Sequence, residues 1–288
     1  MTWKLALPLA LGIAATAAVI HAPSSAETGT MMPETLPVPL DPNDPDNVKL
    51  GELTFRGGLE IEPGDLEIGG ISGLEWHDGM LFGVMDDGRW LTIETDEIRG
   101  TLVDLVEIEV GTLNDERGKR LRGKSNGDAE SLARTNDGAW LVGFEQNHRV
   151  WRYAALDQPA TVAAHDASMH VANAGANSGL ETLAITSNGW LACGQWAGES
   201  QPNCVQKDNV GLVNFELEPP APLNERGGVP TGADCATNDV CFVLFRSWSR
   251  ELGNASAIVA MGAEGLSETI ASWDTALSLT SNFNSSVR

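Results

Sequence analysis

The sequence predicts an all-β fold, a β-propeller of five or six blades whose last blade is incomplete. Three observations predict it. Strand–turn–strand units recur about every 50 residues, the spacing of a propeller blade rather than of a helical solenoid. Each unit joins short apolar runs through a turn that usually holds Asn, Asp or Gly. The 288 residues include 31 glycines and lack long Leu/Ala/Glu/Lys blocks, which favours short strands over helices. The length itself allows one large domain or two small ones.

Taken in order, the chain opens with an export layout. Lys4 is a short positive region, Leu5 to Ile20 is apolar, and Ser24-Ser25-Ala26 offers small residues for cleavage. Residues 1–26 are therefore read as a signal peptide rather than a membrane anchor, because the apolar core is short and contains Pro8. No later segment is long and apolar enough to span a bilayer, so no stable membrane insertion is expected. Residues 27–49 are rich in Pro and Asp and read as a linker or surface strap, and residues 50–288 as the propeller. Glu52 to Ile61 reads as an outer strand that closes the ring.

Four repeats follow. They run from Gly70 to Trp90, from Gly127 to Tyr153, from Ser178 to Trp196 and from Thr231 to Trp248. Leu74, Leu132, Leu183 and Cys235 are placed at one equivalent position. Thr101 to Val110 and Val210 to Glu216 supply outer strands. Trp76, Trp140, Trp190 and Trp248 recur inside the repeats and read mostly as blade packing. A fifth repeat begins near residue 286, where SNFNSSVR replaces the next apolar strand. A truncated or frame-shifted chain would give this ending, and so would a natural short form.

Export sets how the four cysteines are read. Cys193–Cys204 and Cys235–Cys241 are the simplest of the three possible pairings, since each pair flanks a polar loop or turn. A zinc site is the rival, but CxxC pairs and HExxH are missing. The net charge of −22 argues against nucleic acid as a partner and suits an exported protein, periplasmic or secreted, that binds cations.

Equivalent polar positions of successive blades converge at one mouth of a propeller's channel. Two residues before the shared leucine stand Ser72, Glu130, Glu181 and Ala233. At the end of the second strand stand Asp86, Glu145, Gln195 and Arg246. The expected metal ligands are Asp86, Asp87, Asp128, Glu130 and Glu181, an oxygen set suited to Ca²⁺. Glu130, Glu181 and Glu145 are the expected catalytic carboxylates. Arg246, Arg149 and Arg89 are the expected contacts to an anionic small-molecule substrate. A cation beside free carboxylates and Arg suits hydrolysis of a phosphate ester. Against this stands the bland alternative, in which the carboxylates cap turns and tie blades together. His148, beside Arg149, is a weaker acid–base candidate, and His165 and His170 are weaker metal ligands. A monomer is expected.

The stretches GISGLEW…LFGVMDDGR, DAESLA…WLVGFEQNHRVWRY and NSGLETLAI…GWLA resemble the esterase-like, phytase-type domain of exported alphaproteobacterial proteins. The resemblance covers residues 50 to 284. It implies a β-propeller, a phosphoester or ester hydrolase activity, and a functional acidic set at Asp86, Asp87, Asp128, Glu130, Glu145 and Glu181. Two departures stand out. The family's Glu-Gly is Glu130-Ser131 and Glu181-Thr182 here, and its late DNFEGLA is replaced by residues 281–287, without the acidic residue. If that residue completes the family's site, the set is incomplete in this chain. Two other functions fit a propeller of this kind: a Ca²⁺-dependent lactonase using Asn177, and a non-catalytic scaffold.

Overall fold

A computed structural model describes residues 28–62, 64–162, 179–194, 203–236, 239–262 and 267–274. Their regular structure is almost entirely antiparallel strand. Five short strands come first: β1 (Gly29–Met31), β2 (Thr35–Pro37), β3 (Lys49–Leu50), β4 (Leu53–Thr54) and β5 (Leu59–Ile61). Four sheets follow. The first blade holds β6 (Ile71–His77), β7 (Met80–Met85), β8 (Arg89–Ile98) and β9 (Thr101–Thr112). The second holds β10 (Ala129–Arg134), β11 (Trp140–Phe144), β12 (Arg149–Tyr153) and β13 (Thr161–Val162). The third holds β14 (Thr182–Ile185), β15 (Trp190–Cys193), β16 (Cys204–Lys207) and β17 (Leu212–Phe215). The fourth holds β18 (Val229–Cys235), β19 (Cys241–Ser249), β20 (Gly253–Met261) and β21 (Ser267–Asp274). One helical turn, α1 (Lys124–Gly127), precedes the second blade, and a 3-10 turn (Leu223–Arg226) precedes the fourth.

Within each sheet the strands run as a meander from the inside outward. The inner strands β6, β10, β14 and β18 lie side by side in that order. This is the β-propeller arrangement, with four blades among the described residues. The expected outer strands appear as β9 and β17. Local chemistry sets the hairpins: β6 turns into β7 through Asp78-Gly79, both at positive φ, a two-residue turn whose twist matches its strands.

Four apolar cores hold the blades. Val84, Trp90, Leu132, Val142 and Phe144 fill the space between the first and second blades. Ala133, Leu141, Leu183, Trp190 and Val205 fill the next space. Leu191, Cys193, Cys204, Val243 and Phe245 fill the third. The fourth core does not join two blades. The first blade's Met85, Leu91, Ile93 and Ile108 pack under Met31, Leu59, Ile61, Leu66 and Ile68 of the N-terminal segment. That segment also adds β1 to the edge of β9, as a fifth strand of the first sheet. Residues 29–31 are thus sheet, within a stretch expected to be linker or strap.

Three expectations change. Glu52 to Ile61 does not form an outer strand; it is divided between the β3–β4 ribbon and β5, which pairs with β2. It still reaches the fourth blade, where the Glu52 N–H donates to the Ile270 carbonyl at 2.9 Å. The fourth repeat is in a different register. Ala233, not Cys235, opposes Val243 as Leu132 opposes Val142. Turn length decides this, because Cys235 opposes Cys241 across a turn as long as the one between Arg134 and Trp140. Trp140 and Trp190 are packed, 4% and 7% exposed, but Trp76 and Trp248 are 46% and 62% exposed. These two stand in the first and fourth blades, at the ends of the described row. The disulfides are Cys193–Cys204 and Cys235–Cys241, each joining residues directly opposite on neighbouring strands. No helix among the described residues is long and apolar enough to cross a membrane.

Candidate functional site

The site begins at a recurring β-bulge. In three blades the inner strand carries one extra residue against its partner: Ser72, Glu130 and Thr231. A bulge leaves that residue outside the ladder and re-aims its side chain. Glu181 precedes β14 at the matching place in the third blade. Thr231, not Ala233, is therefore the fourth blade's counterpart of Glu130. The blades are keyed together here. The Ser72 hydroxyl donates to the Ala129 carbonyl at 2.5 Å. Gly73 lies so close that a Cβ there would sit 2.8 Å from the Leu132 nitrogen.

The second-strand ends supply the facing side chains. The Glu145 N–H donates to the Asp128 carbonyl at 2.8 Å, one residue beyond the Ala129–Phe144 pair. That bond explains why one hairpin carries carboxylates at both ends: Asp128, Glu130 and Glu145 are brought to the same edge. Carboxylate oxygens of the three lie within 4.8 Å of one another. Asp128 is 2% exposed, and its Oδ1 accepts no hydrogen bond. Gly179 leaves room for the next blade, since a Cβ there would sit 2.8 Å from Glu145 Cγ and 3.3 Å from His148 Nδ1.

Crowded acids in a half-buried place hold their protons. Burial first, then hydrogen bonding to Asp128 and the charges of Glu181, Glu145 and Asp128, push Glu130 up to about 9. Burial, then the charge of Glu145 and a hydrogen bond with it, push Glu181 up to about 7, while Arg246 pulls the other way. Glu145 is also raised, by burial and then by Asp128, against the opposing charges of His148 and Lys124. Glu181 thus joins the cluster through Glu145, and Arg246 faces it from the fourth blade.

Other expected residues are held elsewhere. Asp87 accepts from Arg89, Nε to Oδ2 at 2.7 Å, and Arg89 Nη1 donates to the Glu67 carbonyl at 2.7 Å. Arg149 lies between the rings of Phe144 and Trp151, at 3.9 and 4.1 Å from their centroids. It donates to the carbonyls of Asn147 and Asn126, and burial lowers it to about 10. Arg149 therefore pins α1 to the second blade's hairpin. Asp86 is held by Lys124, Nζ to Oδ2 at 2.9 Å, with Asp128 Oδ1 at 3.8 Å from the same nitrogen. Lys124 is a site residue that the repeats do not point to. Its one signal in the sequence is the spacing of four residues to Asp128, on a one-turn helix outside the repeats. Asn177, His165, His170, Gln195 and residues 281–287 lie outside the described residues.

A family model described as "Esterase-like activity of phytase" matches residues 66–278. No curated protein matches the chain. Among solved structures, 33 chains match. A catalytically inactive virginiamycin B lyase from Staphylococcus aureus with quinupristin is 13% identical at a TM-score of 0.37, over 76% of this chain and 61% of that one. YCF48 bound to D1 peptide is 8% identical at 0.35, over 74% and 68%. The computationally designed Ika4 protein is 12% identical at 0.30, over 73% and 94%. The chain thus spans 61% of the length of that lyase.

Proposed function

Because the chain belongs to the phytase-like, esterase-like family over residues 66–278, we propose that it hydrolyses an ester of an anionic small molecule, a phosphate ester before others. The reaction would take place where the inner-strand bulges meet at the channel mouth. The observation that carries this reading is the cluster of Asp128, Glu130 and Glu145, with one buried Asp128 oxygen left without a donor. Lys124 Nζ stands 3.8 Å from that oxygen, beyond hydrogen-bond reach, and a buried carboxylate oxygen among other carboxylates is costly unless a proton or a closer cation meets it. Ca²⁺ takes six to eight oxygens and accepts irregular geometry, so these residues fit it. Asp128, Glu130 and Glu145 would hold it. A bound calcium ion would polarise the ester oxygen and lower the pKa of an attacking water.

The chain's own groups would do the rest. Glu181 is pushed to about 7, close to the operating range of a proton-transfer group, and sits one hydrogen bond from Glu145. Arg246 is exposed at the same rim and meets the anionic group. The two disulfides support an oxidising compartment, the periplasm or the outside of the cell.

Turnover of p-nitrophenyl phosphate, p-nitrophenyl acetate and a simple lactone, each with Ca²⁺ or with EDTA, tests this. The expected result is Ca²⁺-dependent release from the phosphate ester, lowered roughly 100-fold or more in Glu181→Gln. Preference for the lactone would select the lactonase alternative. No turnover of any ester by the folded, Ca²⁺-supplied chain would make the propeller a binding module and overturn the proposal.

A further inference from the structure

An anionic substrate entering this site meets four carboxylates: Asp128, Glu130, Glu145 and Glu181. An acidic rim disfavours an anion even where protons or a bound cation offset part of its charge, and fixed cations on the path favour its entry. Two of the three arginines expected to meet it are committed elsewhere, Arg89 to Asp87 and Glu67, and Arg149 to its aromatic slot and two carbonyls. Arg246 acts on Glu181 from the fourth blade. On the opposite flank, between the first and second blades, stands Lys124.

Lys124 has the geometry of an anion hook. Its side chain is 65% exposed. Its one hydrogen-bonded tether is Asp86, with Nζ 2.9 Å from Oδ2, while Asp128 Oδ1 is farther away at 3.8 Å. An ammonium has three donors, so a single tether leaves others for a phosphoryl oxygen. The tether is itself fixed. The Asp86 N–H donates to the Gly70 carbonyl at 2.9 Å. Gly70, at φ +65°, leaves open the space its Cβ would take, and the Asp86 carboxylate occupies it. Asp86 is also not one of the three carboxylates whose oxygens converge within 4.8 Å.

We propose that Lys124 is a substrate-binding residue that holds the anionic group of the ester opposite Arg246. Asp86 is its positioning residue and not a ligand of the cation. The inference deepens the reading of the site as an anionic-ester hydrolase and rests on it. The carboxylates then have separate roles. Asp86 serves the substrate, while Asp128, Glu130 and Glu145 serve the cation.

The test is calorimetric titration of the full chain with methylphosphonate, a soluble phosphate-monoester mimic, and separately with Ca²⁺. In Lys124→Met, methylphosphonate affinity should fall at least about tenfold, as for a lost charged hydrogen bond, while Ca²⁺ affinity stays equal or tightens. Lys124→Arg, which keeps the charge, should recover most of the methylphosphonate affinity. Asp86→Asn should weaken methylphosphonate binding and change Ca²⁺ affinity by less than about threefold, since it removes only a partly exposed ion pair. Three results overturn the proposal: wild type that does not bind methylphosphonate, Lys124→Met that binds it like wild type, and Asp86→Asn that no longer binds Ca²⁺. Wild type that binds methylphosphonate through Lys124 yet hydrolyses no ester would support this inference while the hydrolase reading fails.

Discussion

Glu130 stands on the second blade's bulge, and its raised pKa has a consequence for stability. The ordinary value is 4.5, and the folded chain moves Glu130 to about 9 and Glu181 to about 7. The folded state therefore keeps protons that the unfolded chain releases. Their contribution to stability is full below about 4.5 and is lost as pH rises through about 7 and then about 9. Thermal melts in EDTA should show Tm falling from pH 5.5 to pH 9, and Glu130→Gln should flatten the upper part of that fall. General self-repulsion at a net charge of −22 acts in the same direction, so the variant, not the slope alone, isolates the site. Glu130, Glu145 and Glu181 were legible in the sequence because they recur at matched places in repeats. Asp128 was legible only as their neighbour. The roles of Arg89 and Arg149 were not legible, because nothing in a linear spacing shows that Asp87 or the Phe144–Trp151 slot holds a guanidinium. Lys124 was invisible for another reason: it sits in a connection that no repeat aligns.

At the level of the strand pair, the blades are spaced by missing side chains. Gly73 faces the Leu132 backbone so closely that Gly73→Ala must push two inner strands apart. A loss of about 1–3 kcal/mol is expected from such overpacking, read as a lower denaturant midpoint. Phe245 is fully buried in the core between the third and fourth blades. Phe245→Ala should cost about 3–5 kcal/mol, measured in the same way. The Cys193–Cys204 bridge closes a loop with a sequence separation of 11 between paired strands. Replacing both cysteines by Ala should lower stability by about 2–4 kcal/mol, and reduced wild type, which loses Cys235–Cys241 as well, should lose at least as much. The strands and the local disulfides were readable, because apolar alternation and turn residues announce hairpins. The fourth repeat's register was not. Cys235 passed for the apolar counterpart of Leu132, while the length of the turn places Ala233 there.

For the molecule as a whole, the row of blades and its N-terminal segment form one packed system. Three cores join successive blades, and the fourth lies between the first blade and the strands that precede it. The repeat period disclosed the propeller, since only stacked blades bury four similar hairpins. It could not disclose that Met31, Leu59 and Ile61 cover the first blade's other face, because that segment shares no pattern with the repeats. The same architecture leaves Trp76 and Trp248 in solvent, so iodide should quench the part of the tryptophan emission that Trp76→Phe and Trp248→Phe remove. What the architecture accomplishes is to bring Asp128, Glu130 and Glu145 to one place. The sharpest check on a cation site there is Ca²⁺ titration calorimetry on the folded full chain beside an Asp128→Asn/Glu130→Gln variant of equal circular dichroism. Saturable binding in the wild type that disappears in the variant is expected. A folded wild type that takes up no Ca²⁺, or a variant that binds it equally well, would rule that site out.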